Sequence, residues 1–203
     1  MTRKPTTHLL YLHGFRSSPR STKAQRLAAW LREHRPAVSW HAPQLPPSPQ
    51  AAAAQVDALL RSLPTDPAAP AVLVGSSLGG FYATAVAESL GCRAVLLNPA
   101  VDPARDLEKY IGEQTTWHDP AERFFFRPEY VAELRALEAE MAQLRHPRNI
   151  LAVVAQGDEL LDWREMQARY QAGPVKLLAG SDHALSDFDD HLPDLLSFLE
   201  LRP

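Results

Sequence analysis

This sequence contains three residues that together can perform nucleophilic catalysis on an acyl group. Ser77 lies in the pattern Gly75-x-Ser77-x-Gly79, Asp158 follows a glycine, and His183 follows an aspartate. A serine hydroxyl becomes an effective nucleophile when an imidazole takes its proton, and a carboxylate orients that imidazole and stabilises its charge. The set therefore predicts acyl transfer through a covalent intermediate on Ser77.

Two adjacent serines, Ser76 and Ser77, compete for the role of nucleophile. The pattern is typical of a strained turn from a strand into a helix, in which the residues two positions away must be very small. Centring the turn on Ser76 would place Val74 and Leu78 at those crowded positions, whereas centring it on Ser77 places glycines there. We therefore assign Ser77. The alternative interpretation is an ordinary glycine-rich turn that holds an anion.

The base and the acid also have competitors in the chain. Four other titratable residues are candidates, His13 and His118 as bases and Asp162 and Asp187 as acids. His183 and Asp158 are favoured because each follows the end of a predicted strand. The order Ser…Asp…His along the chain is that of α/β-hydrolases. Asp162 is suited to capping the next helix, and Asp187 to a surface position.

The tetrahedral intermediate of acyl transfer needs two N–H donors for its oxyanion. The residue after the nucleophile supplies one, so we assign the backbone N–H of Leu78. The loop after the first strand supplies the other, and there Gly14 allows a close approach, so we assign the N–H of Phe15. We also expect Phe15, Phe81 and Trp117 to line the substrate pocket.

Six apolar segments, which we predict to be strands, position these residues: 8–13, 38–42, 71–74, 93–97, 150–155 and 175–179. Segments of helical periodicity separate them, so the sheet is predicted to be parallel with helices on both faces. The predicted fold is an α/β-hydrolase with strand order 2-1-3-4-5-6. Ser77 then lies where the strand order reverses, which is where ligands bind such sheets.

Residues 101–148 interrupt the alternation of strands and helices and contain no clear strand. We expect a short helix over 105–111, a polar-aromatic loop over 112–127 and a longer helix over 128–144. An insertion at this edge of the sheet predicts a partial helical cap within a single domain of residues 1–203. The alternative is that Phe124, Phe125 and Phe126 only pin the long helix to the core.

Composition narrows the class of protein. The chain has 203 residues, a net charge of −3 and one cysteine, Cys92. These values favour neither nucleic acid nor membrane as a partner, and no disulfide can form within the chain. The N-terminal residues lack the apolar stretch of a leader, which predicts a cytoplasmic protein. No metal-ligand cluster and no nucleotide-binding motif is present, so we expect neither metal nor cofactor.

Five segments carry a resemblance to a known family: YLHGFRSSP at 11–19, GSSLGGFYA at 75–83, LNPA at 97–100, QGDELLD at 156–162 and GSDHA at 180–184. Together they resemble the small bacterial YqiA-like esterases, a compact branch of the α/β-hydrolases, over nearly the whole chain. The resemblance implies esterase activity on short acyl esters or thioesters, with Ser77, Asp158 and His183 as the triad. Asp182 stands where asparagine is also common, and segment 112–127 diverges, so the resemblance does not fix the substrate.

Three functions therefore fit the sequence. The first is a carboxylic ester hydrolase acting on a small-molecule ester. The second is an acyl-CoA thioesterase in which Arg16, Arg20 and Lys23 meet the nucleotide phosphates. The third is a binding protein that keeps the fold without catalysis; a complete triad in the expected order disfavours it. Other hydrolytic activities, such as that of an amidase, use the same residues.

Overall fold

The computed structural model describes residues 6–64 and 71–201, so the first five residues, used above to judge the leader, lie outside it. The strands are β1 (His8–Leu12), β2 (Ser39–His41), β3 (Val72–Ser76), β4 (Ala94–Leu97), β5 (Gly112–Thr115), β6 (Arg123–Phe126), β7 (Ile150–Ala155) and β8 (Val175–Leu178). The α-helices are α1 (Thr22–His34), α2 (Pro49–Ser62), α3 (Leu78–Leu90), α4 (Pro103–Leu107), α5 (Pro128–Glu140), α6 (Trp163–Tyr170) and α7 (Phe188–Phe198).

Six of the strands form one parallel sheet in the order β2-β1-β3-β4-β7-β8. Counted along the chain without β5 and β6, this is the predicted order 2-1-3-4-5-6, which is confirmed. The register aligns Ser76 with Leu97, and Leu97 with Val153. The carboxyl ends of β3, β4 and β7 therefore lie side by side at one edge of the sheet.

Continuous apolar runs form these strands because both faces of the sheet are covered. Leu10, Leu12 and Leu73 belong to the hydrophobic core on one face, which α2 and α3 cover. Leu9 and Val74 belong to the core on the opposite face, which α1 and α7 cover. The helices thus hold the strand ends in fixed positions from both sides.

The insertion between β4 and β7 differs from the expectation. It contains α4, a 3₁₀ turn over Glu108–Tyr110, an antiparallel hairpin of β5 and β6, and α5. The prediction of a loop without strands over 112–127 is wrong, and the insertion is mixed rather than helical. Alternation explains the second strand, since Phe126 is buried while Phe125, its neighbour, is exposed.

The long helix of the insertion is shorter than predicted. Helix α5 ends at Glu140, whereas the sequence predicts a helix over 128–144. Within residues 6–64 and 71–201, no helix combines the length and the apolar character needed to cross a membrane.

Candidate active site

Ser77 forms the corner between β3 and α3. Its backbone has φ 55° and ψ −120°, a strained conformation for a residue with a side chain. Ser76, by contrast, is the last residue of the strand. The N–H of Ser77 donates to the carbonyl of Leu97 at 2.9 Å, and its carbonyl accepts from the N–H of Gly80 at 2.8 Å. The strained turn is therefore centred on the second serine and is held by its neighbours.

Two glycines make this corner possible. A Cβ atom on Gly75 would lie 2.2 Å from the carbonyl oxygen of Gly79, and one on Gly79 would lie 2.0 Å from the carbonyl oxygen of Leu12. Both distances are far below van der Waals contact, so any side chain there would push α3 away from the sheet. The spacing seen in the sequence thus has a steric cause on both sides of Ser77.

Asp158 and His183 form a hydrogen-bonded pair at the neighbouring strand ends. Asp158 follows β7, its side chain is fully buried, and its Oδ2 lies 2.7 Å from His183 Nδ1. Its other oxygen accepts from the N–H groups of Leu160 and Leu161, both at 2.9 Å. Three donors thus surround the carboxylate, and the bond at Nδ1 leaves Nε2 of His183 for proton transfer.

The alternative bases and acids have other contacts. His118 lies in the hairpin turn, 3.3 Å from Glu122, and His13 uses both ring nitrogens elsewhere. Asp162 caps α6 by accepting from the N–H of Arg164. Asp187 contacts Ser181 and lies 3.0 Å from His191. These four residues therefore make their contacts elsewhere and not with the Asp158–His183 pair.

Asn98 is a residue of this site that the sequence reasoning did not single out. It is fully buried at the end of β4 with φ 44°. Its side-chain oxygen accepts from the N–H of Ala155 at 2.8 Å. Its amide nitrogen donates to the carbonyls of Asp182 and His183 at 3.0 and 3.2 Å. An asparagine directly after a predicted strand, in a family segment, was the available signal, since asparagine tolerates positive φ.

The loop after β1 lies against Ser77. A Cβ atom on Gly14 would be 3.1 Å from Ser77 Cβ and 3.6 Å from Ser77 Oγ. His13 is buried, and its Nε2 accepts from the N–H of Leu45 at 3.0 Å, so its proton is on Nδ1. That nitrogen donates to the carbonyl of Gly14 at 2.9 Å. Burial lowers the pKa of His13 and favours this neutral form.

This bond has a consequence for Phe15, one of the candidate oxyanion donors. The carbonyl of Gly14 and the N–H of Phe15 belong to one planar trans peptide and point in opposite directions. Fixing the carbonyl through His13 therefore fixes the direction of the N–H. Leu78, the other candidate, is the first residue of α3, where backbone N–H groups lack partners within the helix.

A cavity of about 460 Å³ opens beside Ser77, and we name it the Ser77 cavity. His183, Phe15 and Trp117 also line it, and Trp117 is 67% exposed. Phe81 is not among the described residues that line it. That side chain is 3% exposed within the core and borders a separate cavity of about 280 Å³. The structure thus brings two of the three predicted pocket residues to Ser77.

The β5–β6 hairpin and the preceding 3₁₀ turn pack against the loop after β1. The ring of Phe15 packs against Tyr110, Phe124 and Phe126, with centroid distances of 5.5, 5.8 and 5.2 Å. Two of these three aromatic residues belong to β6, and the third ends the 3₁₀ turn. The expectation that the phenylalanines only pin the long helix is therefore incomplete, because they also contact the candidate oxyanion loop.

Arg16 makes a second connection between this loop and the hairpin. Its φ is 60°, unusual for a residue with a side chain. Its Nε donates to the carbonyl of Thr115 at 2.6 Å and its Nη2 to the Thr115 hydroxyl at 3.0 Å. Its own carbonyl accepts from the N–H of Trp117 at 2.8 Å, and its guanidinium carbon lies 4.1 Å from the centre of that ring. These contacts hold the strained residue in place.

The family of the chain follows from a comparison with known families. A model of the uncharacterised protein family UPF0227 matches residues 8–200. The chain belongs to this family. It is the YqiA family that the five sequence segments indicated, so that resemblance is confirmed.

Solved structures share the fold of this UPF0227 protein. A candidate hydrolase from Agrobacterium vitis S4 has a TM-score of 0.75 at 19% identity, with 98% of this chain and 89% of that chain covered. Alpha/beta hydrolase domain-containing protein 10 from mouse has a TM-score of 0.72 at 15% identity (98% and 92% covered). A monoacylglycerol lipase from Paleococcus ferrophilus has a TM-score of 0.68 at 15% identity (98% and 97% covered). These likenesses establish the α/β-hydrolase fold.

Two further charged groups lie close to the loop that carries His183 in the UPF0227 protein. The Glu159 carboxylate accepts from the N–H of His183 at 3.0 Å, and Lys23 contacts the loop's next residue, Ala184. The Nζ of Lys23 donates to the carbonyl of Ala184 at 2.6 Å, and Lys23 lines the Ser77 cavity. Burial lowers the pKa of Lys23 to about 8, although the carboxylates of Asp182 and Asp158 oppose this shift.

Among the residues that the structure describes, no group of three or more His, Cys, Asp or Glu side chains is arranged to hold a metal ion.

Proposed function

We propose that this UPF0227 protein is a serine esterase that hydrolyses carboxylic esters of small molecules. One observation carries the proposal: the buried Asp158 carboxylate lies 2.7 Å from His183 Nδ1, and His183 lines the same cavity as the strained Ser77. This arrangement supplies a nucleophile, a base and an orienting acid. The names of similar structures, which include a lipase, support the same class of reaction.

In the proposed mechanism, Ser77 Oγ attacks the ester carbonyl carbon while His183 Nε2 takes the hydroxyl proton. Asp158 stabilises the resulting imidazolium. The negative charge on the former carbonyl oxygen is held by the N–H groups of Phe15 and Leu78. The tetrahedral intermediate then collapses, the alcohol leaves with the proton from His183, and an acyl-enzyme remains. A water molecule, which gives its proton to His183, then attacks the carbonyl carbon of the acyl-enzyme. The bond to Ser77 Oγ breaks, Ser77 takes the proton back from His183, and the carboxylic acid is released.

We assign to the insertion the role of a partial cap within a single catalytic domain. Support comes from Leu107, Tyr110 and Trp117, which line the Ser77 cavity from the insertion. Covering an ester site in this way excludes water from the oxyanion hole and strengthens its hydrogen bonds. The contacts of Arg16 with Thr115 join the cap to the catalytic loop.

Oxygen esters fit the contacts better than acyl-CoA thioesters. The Arg16 guanidinium, which the thioesterase hypothesis needs for phosphate, already donates to Thr115 and lies against Trp117. Arg20 is not among the described residues lining the Ser77 cavity. Lys23 does line it, but its Nζ donates to Ala184. A binding protein without catalysis would have no use for an ordered Asp158–His183 pair.

The decisive experiment is hydrolysis of p-nitrophenyl esters with acyl chains of two to twelve carbons by wild type, Ser77→Ala and Ser76→Ala. We expect Ser77→Ala to lose at least ~10³-fold in kcat. Ser76→Ala, the matched control in the adjacent strand position, keeps most of the activity. A fluorophosphonate probe should label wild type and not Ser77→Ala. Equal activity of Ser77→Ala and wild type, or no labelling and no hydrolysis in any protein, would overturn the proposal.

A further inference from the structure

A second cavity lies on the other side of the candidate oxyanion loop. It has a volume of about 310 Å³, and we name it the Gln55 cavity after a residue at its mouth. The two cavities share the wall formed by residues 14–17 of the loop after β1. Ser77 and His183 line only the Ser77 cavity, whereas Leu78 lines only the Gln55 cavity. The corner between β3 and α3, which carries Ser77, therefore borders both cavities.

The two cavities differ in chemistry. The lining of the Gln55 cavity includes Leu45, Pro46, Tyr82 and Phe124 and contains one charged side chain of its own, Glu122, while Gln55 itself is exposed. The Ser77 cavity contains four charged side chains of its own, namely Lys23, Asp106, Lys109 and Glu159, and Arg16 lines both cavities. An apolar group gains free energy by leaving water for the first space, whereas a polar or charged group keeps its partners in the second.

The chemistry of acyl transfer decides which half of an ester enters which cavity. The alcohol leaves with the proton that His183 carries, so the alcohol oxygen must lie beside His183 when the bond breaks. His183 lines the Ser77 cavity and not the Gln55 cavity. The alcohol half of the substrate therefore extends into the Ser77 cavity.

The acyl half must then extend in another direction from the same carbon. Gly14 belongs to the wall between the cavities, and its missing side chain leaves the backbone close to Ser77 Oγ. Leu78, whose N–H is a proposed oxyanion donor, opens onto the Gln55 cavity. We infer that the Gln55 cavity binds the acyl chain and the Ser77 cavity binds the alcohol, an assignment that rests on the proposed esterase function. The substrate class is an ester of an apolar carboxylic acid with a polar or charged alcohol.

Two matched substitutions test the assignment. Gln55→Trp fills the mouth of the Gln55 cavity, and Lys109→Trp fills the Ser77 cavity; both native side chains are long, polar and exposed, so both variants should fold. Each is assayed on p-nitrophenyl esters of increasing acyl length, and on acetate esters of increasing alcohol length followed by pH-stat. Gln55→Ala, which enlarges the mouth, gives a change of opposite sign.

Gln55→Trp should lower kcat/KM for long acyl chains at least about tenfold relative to acetyl, since displaced methylenes cost this much in a fitted cavity. It should leave the dependence on alcohol length unchanged, and Gln55→Ala should shift the acyl optimum to longer chains. Lys109→Trp should change only the dependence on the alcohol. The reverse pattern, or no change in acyl preference for either Gln55 variant, overturns the assignment while wild-type hydrolysis and Ser77 labelling keep the esterase function intact. Absence of both hydrolysis and labelling overturns both.

Discussion

Asn98 shows how a single residue aligns parts of the candidate site that are distant in sequence. Its amide binds the end of β7, which leads to Asp158, and the backbone of the loop that carries His183. We predict that Asn98→Ala lowers kcat for ester hydrolysis while changing KM little. The N–H of Ala155 would lose its buried acceptor, which should lower the free energy of unfolding by about 1–3 kcal/mol.

The control for this prediction is Asn149→Ala. Asn149 also donates its side-chain amide to a backbone carbonyl, that of Gly91 at 2.8 Å, but it precedes β7 at the opposite edge of the sheet. Asn149→Ala should lower the free energy of unfolding without changing kcat. A loss of stability in Asn98→Ala with wild-type kcat, and an unchanged pH profile of kcat/KM, would mean that Asn98 has only a structural role.

Individual residues differ in how far the sequence could reveal them. Ser77 could be located because the tight turn between β3 and α3 requires glycines two residues before and after it. Such a local steric requirement leaves a short motif in the sequence. The position of Asn98 after a predicted strand was visible, but its role was not, because its three bonding partners come from two other segments. Phe81 was expected at the pocket, yet the helical periodicity of α3 turns it into the core at 3% exposure.

At the scale of elements, the hairpin and the loop after β1 form one unit through Arg16 and Thr115. We predict that Arg16→Ala lowers kcat about 10- to 100-fold. Without the guanidinium the strained loop relaxes, and the N–H of Phe15 no longer points at the position of the oxyanion. Arg16→Lys should not restore kcat, since an ammonium cannot donate in the fork geometry of a guanidinium. Steady-state kinetics on one short-chain ester measure both.

Arg123→Ala is the matched control. Arg123 pairs with Glu113 on the outer face of the same hairpin, away from Phe15, and both side chains are more than half exposed. An exposed ion pair of this kind contributes little to stability, so kcat should stay at the wild-type value. If Arg16→Ala and Arg123→Ala behave alike, the hairpin does not position the loop.

The elements also show what a sequence pattern can and cannot predict. The six sheet strands are buried on both faces, so each is a continuous apolar run that local composition reveals. The hairpin is different, because its strands carry residues such as Glu113, Gln114 and Arg123 on a two-stranded ribbon. Its stability comes from packing Phe124 and Phe126 on Phe15, a tertiary contact that periodicity over four residues cannot indicate.

At the scale of the whole molecule, two histidines with lowered pKa values, His13 and His41, make the free energy of unfolding depend on pH. Burial lowers the pKa of His13, and burial together with the nearby His8 lowers the pKa of His41. A base with a lowered pKa stays neutral in the folded chain while the unfolded chain takes up a proton. Its stabilising contribution is therefore fully present above the unfolded pKa of about 6.5 and is lost as pH falls below it.

We predict that the free energy of unfolding decreases when pH falls from 7.5 to 5.5, by up to about 1.4 kcal/mol per pH unit for a proton fully excluded from His13. His41 is more exposed, so its contribution is smaller. Urea unfolding of wild type and of a His13→Gln/His41→Gln double variant at both pH values measures the effect. The pKa values of Asp182 and Asp187 are lowered from their ordinary value of 3.8, so these two carboxyl groups titrate below the range from pH 5.5 to pH 7.5. The double variant should be less stable than wild type at pH 7.5 but should change less on acidification. An equal pH dependence in both proteins would contradict the prediction, and would mean that the His13–Leu45 bond opens to admit a proton without cost to the fold.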